Sequence, residues 1–356
     1  MLPHDTYMLR CLQLARNGRG AVAPNPMVGA VLVHGDRIIG EGWHRRFGGV
    51  HAEVECLESV REEDKPLIAE ATLYVSLEPC AHFGKTPPCA DLVIRHAIPR
   101  VVVGCRDPFP LVAGKGIEKL RAAGVDVTVG ILEGECRALN SAFFTFHTEK
   151  RPFITLKWAQ SADGQVAGLH GRRAAISGAL SARLTHRLRA THAGILVGTN
   201  TALFDDPELS TRHWPGAQPL RIVLDRRRRL PVGLRLFSGD LPTLVLNEGK
   251  NERHHGLEYV HLDGFGSPGF AERIVQTLHA RGLQSLLVEG GAQLLQCFID
   301  SGLWDETLVL TNTALRVGSG IPAPQFSGGV LLHSRVLGTD RADTYRKAEG
   351  SLGRMR

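Results

Sequence analysis

The chain has 356 residues, 43% of them apolar, and a net charge of +6 from 42 Lys and Arg against 36 Asp and Glu. That length exceeds a typical single domain, so two domains are expected, each able to build its own core. No apolar run reaches the roughly 18 residues of a membrane span, and the first ten residues lack the basic and apolar regions of a signal peptide. Seven scattered cysteines (11, 56, 80, 89, 105, 136, 297) argue against a disulfide framework and for a reducing cytoplasm.

In chain order, Asp5 caps a first helix carrying Met8, Cys11, Leu12 and Ala15, and Gly18 stops it. Ala23-Pro24-Asn25-Pro26 is a rigid loop, because each proline restricts its neighbour. Val28 to Val33 is an apolar strand, His34-Gly35-Asp36 turns it, and Arg37 to Trp43 returns. His51 opens a helix with Val54, Leu57 and Val60 on one side. Strand Ala71 to Leu77 leads into a loop at Cys80, and Cys89 opens the next helix. A strand from Arg100 to Gly104, a helix from Gly116 to Ala123, a strand from Val125 to Val129 and a helix from Glu133 to about Thr148 follow. Strands alternating with helices predict an α/β layer structure. Glu149-Lys150-Arg151-Pro152 is a polar break and the expected boundary.

A second α/β run begins at strand Phe153 to Trp158. Its predicted helices span Ala179 to Ala190, Phe270 to Ala280 and Ala292 to Asp300. Its further strands span 194–198, 220–224, 243–246, 259–262, 285–289 and 306–311. Gly318 to Pro322 reads as a loop, and the polar tail after Arg341 as mobile or edge-forming. The densest basic run, Asp225-Arg226-Arg227-Arg228-Arg229, follows a strand and reads as a solvated turn. A modest positive surplus suits anionic small substrates, phosphates among them.

The first half carries one chemical constellation: His51-Ala52-Glu53, then Pro79-Cys80, then Thr86-Pro87-Pro88-Cys89. One imidazole and two thiolates can hold zinc and leave its fourth tetrahedral position open, as catalytic zinc sites do. A Glu two residues past the histidine is close enough to serve a bound water without ligating the metal. This is the arrangement of zinc nucleobase deaminases, except that eight residues separate the two cysteines where two are usual. Singly, each residue is better read as packing; together they favour zinc. With 6% aromatic residues and no interleaved basic and aromatic stripe, a deaminase acting on nucleic acid is disfavoured.

Two features mark the second half. Val288-Glu289-Gly290-Gly291 joins a buried strand to a helix, where glycines let backbone N–H groups approach a phosphate; a plain tight turn is an equal reading, and Glu289 is a polar contact or a helix cap. Gly198-Thr199-Asn200-Thr201, then Asp205-Asp206-Pro207-Glu208-Leu209 and Arg212, reads as a loop suited to a sugar phosphate, or as a solvated loop with an Asp-Pro turn.

The sequence resembles the bifunctional riboflavin-biosynthesis enzymes, a pyrimidine deaminase fused to a uracil reductase. In the first half the resemblance rests on Pro24-Asn25-Pro26, Val28-Gly29, His51-Ala52-Glu53-Val54, Leu77-Glu78-Pro79-Cys80, Gly84-Lys85-Thr86-Pro87-Pro88-Cys89, Asp107-Pro108 and Val112-Ala113-Gly114-Lys115-Gly116. In the second it rests on Ser161-Ala162-Asp163-Gly164, Leu188-Arg189-Ala190, Asp205-Asp206-Pro207 and Val288-Glu289-Gly290-Gly291. It implies a cytidine-deaminase-like three-layer α/β/α domain over 1–149 and a dihydrofolate-reductase-like α/β domain over 150–356. It further implies zinc on His51, Cys80 and Cys89, proton transfer by Glu53, and a pyrimidine oriented by Asn25. In the second half, Arg189, Leu209, Arg212 and Glu289 would face the phosphoribosyl substrate. Ala159, Ala175, Thr201, Asp205 and the run Gly291-Ala292-Gln293-Leu294-Leu295-Gln296-Cys297 would face NADPH.

Three positions depart from the family pattern. Arg173 replaces a small hydroxyl, Ala175 an aromatic residue, and Phe109 a common Asn. A two-step enzyme is the expected function, and a deaminase whose C-terminal domain has lost reduction is its rival. The expected setting is a cytoplasmic homo-oligomer, dimer or tetramer, working on a small phosphoribosyl pyrimidine rather than on nucleic acid or membrane.

Overall fold

The computed structural model describes residues 3–81, 87–110, 112–172 and 174–348. It divides into two compact units, Met1–Glu149 and Lys150–Arg356. The first contains α1 (Pro3–Ala15), β1 (Gly29–His34), β2 (Arg37–Trp43), α2 (Ala52–Glu58), β3 (Thr72–Leu77), α3 (Cys89–Arg95), β4 (Arg100–Cys105), α4 (Lys115–Ala122), β5 (Asp126–Val129), α5 (Glu133–Leu139) and α6 (Ser141–Thr148). Its five-stranded sheet has the order β2-β1-β3-β4-β5. The hairpin pairs antiparallel with β3, whereas β3, β4 and β5 run parallel.

Both faces of this sheet are covered. One buries Ala30, Leu73, Val75, Val101 and Val103 under α2, α3 and α4. The other buries Val31, Val33, Tyr74 and Val102 under α1, α5 and α6. The near-continuous apolar strands follow from that double burial, and the expected three layers result. Asp5 lies inside the first turn of α1, because the helix starts at Pro3; its charge there still complements the helix dipole. The single helix expected over 133–148 is two helices, broken at Asn140 (φ −111°, ψ 27°). The break frees the Asn140 amide to accept from Met27 N at 2.8 Å and donate to Met27 O at 2.9 Å. It thereby clamps the Asn25-Pro26-Met27 loop, whose Ala23–Pro24 peptide is cis.

The second unit contains β6 (Phe153–Gln160), β7 (Gln165–Gly168), α7 (Ala179–Thr191), β8 (Gly194–Val197), α8 (Thr199–Asp205), β9 (Leu220–Leu224), β10 (Thr243–Asn247), β11 (Glu252–His254), β12 (Leu257–His261), α9 (Phe270–Ala280), β13 (Ser285–Glu289), α10 (Ala292–Asp300), β14 (Glu306–Asn312), β15 (Gly320–Pro322), β16 (Gly329–Leu337) and β17 (Asp340–Lys347). A ten-stranded sheet has the order β11-β12-β10-β9-β8-β13-β6-β14-β17-β16. From β12 through β14 every neighbouring pair is parallel, and β14, β17 and β16 close one side antiparallel.

Three expectations fail here. Within the expected loop at 318–322, Gly320–Pro322 is strand β15, paired antiparallel with β7. Residues 199–205 form a helix rather than a loop, started by Gly198 in extended backbone directly after β8. Of the tail after Arg341, the residues through Lys347 lie in an interior strand, because β17 pairs with β14 on one side and with β16 on the other. Strand β16 escaped sequence reading because its side chains are mostly exposed on both faces, so no alternation marks it.

Helix α2 lies on β2 at backbone distance. A Cβ on Gly42 would stand 2.6 Å from Ala52 O and collide with Cys56 N. Gly42→Ala is therefore expected to push α2, with His51 and Glu53, off the sheet and to destabilise the unit by about 1–3 kcal/mol. Thermal melts and metal content of the purified variant check this; unchanged values of both would refute it.

Candidate functional site

The candidate metal centre sits where three chain segments end. His51 is the residue before α2, in extended backbone (φ −78°, ψ 165°). Cys89 is the first residue of α3, and Cys80 follows β3 after Glu78-Pro79. His51 Nδ1 lies 3.2 Å from Cys89 Sγ and 3.5 Å from Cys80 Sγ, and the three ligand atoms lie within 4.8 Å of one another. Donors at tetrahedral corners around zinc, with bonds of about 2.0–2.3 Å, stand roughly 3.5 Å apart, so the set fits the ion. Cys89 N donates to Cys80 Sγ at 3.3 Å, so a helix start supports that thiolate.

The protons in this cluster are unequally held. A hydrogen bond from Cys89, and then His51, draw the Cys80 thiol down to about 4 against its burial. The Cys89 thiol is pushed up by the same hydrogen bond and by burial, and the hydrogen bond to Cys80 raises His51 to about 9. A divalent cation displaces such protons as it binds. Glu53, on the first turn of α2, is buried beside the cluster, and burial pushes its carboxyl above the usual carboxylate range.

Of the residues that support the centre, His44 was not singled out from the sequence, and Glu78 and Gly116 entered only inside motifs. Glu78 is buried and accepts four backbone N–H bonds, from Asp107, Gly114, Gly116 and Ile117, at 3.0–3.3 Å. It ties the Pro79-Cys80 turn to the start of α4. At Gly116 a side chain would overlap the Pro79 carbonyl oxygen, which is why Gly stands there. His44 is buried with its ring edge-on to His51 at 5.6 Å, and burial lowers its pKa. Its Nδ1 meets Val50 O at 2.8 Å, so that nitrogen carries the proton, and Nε2 accepts from Asn25 Nδ2 at 3.1 Å. Asn25 is thus held at both ends of its loop. Phe109 packs its ring on His147 at 5.0 Å. Gly84 to Thr86 lie outside the described residues.

The second unit gathers charge at the C-terminal ends of β6 and β13. Arg189 of α7 grips Glu289 in a bidentate ion pair, Nε to Oε1 at 3.0 Å and Nη2 to Oε2 at 2.7 Å, and its Nη1 reaches Ser210 O at 3.2 Å. Lys157 faces Glu289 across the β6–β13 pairing, and burial pulls its ammonium below the ordinary value. Arg212 bonds Ser210 Oγ and pairs with Glu208. His186, one turn before Arg189, is edge-on to His213 at 4.6 Å; burial, then Arg189, Arg212 and His213, hold it at about 4. Neither Lys157 nor His186 was singled out from the sequence, because each lies within an apolar or basic run with no motif around it.

Gly290 and Gly291 have φ of +93° and +74°, and Thr201 on α8 packs its side chain against both. The predicted cofactor residues therefore divide. Thr201 and Gly291 meet at one turn. Leu294 and Leu295 are core side chains, as is Leu209, which leaves only their backbone to face a ligand. Gln296 is engaged with Asp300 and Gln325. Ala292 and Cys297 are half-buried on α10 and Gln293 is exposed; Ala159 is half-buried on β6, Asp205 ends α8, and Ala175 is exposed. Arg173 lies outside the described residues.

With this geometry in hand, comparison with known proteins is decisive. The cytidine and deoxycytidylate deaminase zinc-binding region matches residues 1–105, and the RibD C-terminal domain matches 152–337. A riboflavin biosynthesis protein RibD of Aquifex aeolicus is 43% identical over 88% of this chain and 88% of its own. The chain belongs to the RibD family. A RibD of Synechocystis is 37% identical over 94% of this chain and 88% of its own. The crystal structure of a diaminohydroxyphosphoribosylaminopyrimidine deaminase/5-amino-6-(5-phosphoribosylamino)uracil reductase from Thermotoga maritima overlays with a TM-score of 0.87 at 36% identity, covering 97% of this chain and 99% of that one. RibD of Acinetobacter baumannii overlays with a TM-score of 0.86 at 32% identity, covering 98% and 99%. This RibD chain is a bifunctional enzyme of riboflavin biosynthesis, a zinc-dependent deaminase and an NADPH-dependent reductase. The whole-length overlay favours that enzyme over a deaminase with a decayed C-terminal domain.

The Arg189–Glu289 pair sets a test. Burial opposes the Glu289 charge, but Arg189 and Lys157 outweigh it and hold the carboxyl at about 2, below its ordinary 4.5. Its stabilisation is thus present above pH 4.5 and lost as pH falls toward 2. Arg189→Met should cost about 3–5 kcal/mol at pH 7 by leaving a buried charge unpaired. Urea melts should show the gap to the parent closing below pH 4.5; a gap constant with pH would refute the assignment.

Proposed function

We propose that the first unit hydrolytically deaminates 2,5-diamino-6-(5-phosphoribosylamino)pyrimidinone and that the second reduces the product to 5-amino-6-(5-phosphoribitylamino)uracil. The observation that carries the deaminase reading is three ligand atoms within 4.8 Å of one another beside a buried carboxyl. His51, Cys80 and Cys89 would hold zinc, which would supply a water acidified toward neutrality. Glu53, buried beside the cluster, would accept a proton from the attacking water and return it to the departing amine. Its raised affinity for protons suits a carrier that must both accept and give. Asn25, fixed by His44, orients the pyrimidine ring.

In the second unit NADPH, when bound, supplies hydride to the ribose C1′. The C1′–O4′ bond opens and the ring oxygen needs a proton. Lys157 is the group we assign to that delivery, because burial makes it a readier donor than an exposed lysine and Glu289 keeps it charged. Arg189, Arg212 and the neutral His186 line a positive field suited to the anionic phosphoribosyl group, with the backbone at Leu209 beside them. Thr201, Asp205 and the Gly291 to Cys297 stretch, together with Ala159 and Ala175, serve the cofactor.

The same reading makes the enzyme a cytoplasmic homo-oligomer. Its seven free thiols support the compartment. The outer strand β16, which exposes Val330, Leu331, Leu332 and Val336, supports self-association; only monomer in light scattering would remove that part.

Glu53→Gln is expected to cut ammonia release at least about 100-fold with zinc retained by elemental analysis; full deamination would refute its role. Lys157→Met should lower reductase turnover while NADPH still binds, as read by single-turnover NADPH oxidation and by fluorescence titration. Unchanged hydride transfer would exclude it as the proton donor.

A further inference from the structure

Helix α7 carries His186 and Arg189 into the charged cluster, yet its apolar contacts do not set its position along its own axis. Leu184 and Leu188 pack against Leu308, Leu310 and Ala342 of β14 and β17, and apolar contact is non-directional, so it lets a helix slide. The end of α7 is fixed by the Arg189–Glu289 pair and by His192, whose ring bridges Leu188 O and Thr155 Oγ1. Its start needs directed bonds of its own.

Those bonds come from the far end of the chain. Gly178, the residue before α7, has no side chain with which to cap the helix. The third helical position, from which a Glu or Gln reaches back to the capping residue's N–H in a capping box, holds Ser181, whose buried Oγ has no hydrogen-bond partner. Asp340 takes over that role, its Oδ2 accepting Gly178 N at 2.8 Å. Opposite Asp340 in the β14–β17 pairing stands Asn312, whose Nδ2 donates to Ile176 O at 2.8 Å. One cross-strand pair thus holds two backbone groups of the segment leading into α7, on either side of Ser177.

This bracket is itself rigid. Gly338-Thr339 is a two-residue hairpin turn with Gly338 at φ +68°, as a primed turn requires. Thr339 O accepts both N and Oγ1 of Thr313 at 2.9 Å. Asn312 Oδ1 accepts Ala314 N and Leu315 N. Asp340 is 1% exposed, and among the described residues it has no ion pair, only Gly178 N and the Thr339 hydroxyl. A buried carboxylate without a cation is costly, and the positive end of α7 offsets that cost.

We propose that Asp340, with Asn312 beside it, is a positioning residue for the reduction. It sets where α7 begins, and so where Ala175 and Arg189 meet their ligands. This rests on the reading above that Arg189 faces the phosphoribosyl group and Ala175 the cofactor. Arg189 lies about 16 Å along the helix from Gly178, so a shift at the start is carried to the charged cluster by one stiff element.

Steady-state kinetics of the full chain test this, with deamination as the internal control. Asp340→Ala should raise KM for NADPH and for the deaminated substrate about 10-fold, the worth of a hydrogen bond to a charged acceptor. Saturated turnover should stay within about threefold of the parent and ammonia release should be unchanged. Asp340→Asn keeps an acceptor for Gly178 N and should hold both KM values within about threefold of the parent. A purely structural role would instead lower saturated turnover with the folded fraction and leave KM alone. That result overturns the proposal, as does an Asn variant as impaired as the Ala variant. If Asp340→Ala does not fold, Asn312→Ala cuts the other arm and must raise the same two KM values; unchanged values overturn the proposal. Arg189→Lys with an unchanged KM for the deaminated substrate overturns the underlying placement of the phosphoribosyl group instead, and so separates the two failures.

Discussion

Buried carboxylates at the ends of parallel strands are the constraint on which both units depend. A carboxylate taken out of water costs several kcal/mol unless fixed donors meet it. Each strand end here meets that demand differently. Glu78, just past β3, takes backbone N–H groups from the start of α4. Glu289, ending β13, takes the whole fork of Arg189. Asp225, following β9, takes its own turn. In every case, satisfying the acid dictates where the neighbouring loop goes, and the loops so placed carry the chemistry.

In the deaminase unit this explains why a flexible-looking segment delivers a cysteine accurately. The Pro79-Cys80 turn is held from below by Glu78 and abutted by Gly116, and it faces a helix whose first residue is the second cysteine. The histidine arrives on a third segment, pressed to the sheet through Gly42. Three donors meet because three separately anchored backbones meet. Asn25 belongs to the same logic: Asn140 breaks a helix to hold its loop, and His44 holds its amide.

In the reductase unit the acid works through side chains rather than backbone. Arg189 and Lys157 together keep Glu289 charged, and burial, reinforced by Arg189 and Arg212, keeps His186 neutral. Such a field suits a phosphorylated sugar. The glycine turn after β13 and the helix after β8 touch through Thr201, so the two form one packed surface rather than a set of loops.

Much of this was readable in the chain itself. The helix and strand alternation, the break near Glu149, and the His51, Cys80, Cys89 and Glu53 set followed from periodicity and from donor chemistry, because those signals are local. Residues such as His44, Lys157 and His186 were silent, since a lone polar residue in an apolar or basic run has no meaning until its neighbours are known. The arginine run was visible, but the pairing of Arg226 with Glu248 and of Arg228 with Glu252 depends on strands tens of residues away. Strand β16 and the interior position of β17 were likewise decided by pairing across the sheet. Local sequence determines which groups are present and how each segment folds, and only the packing of distant segments decides which of those groups share a proton, a cation or a charge.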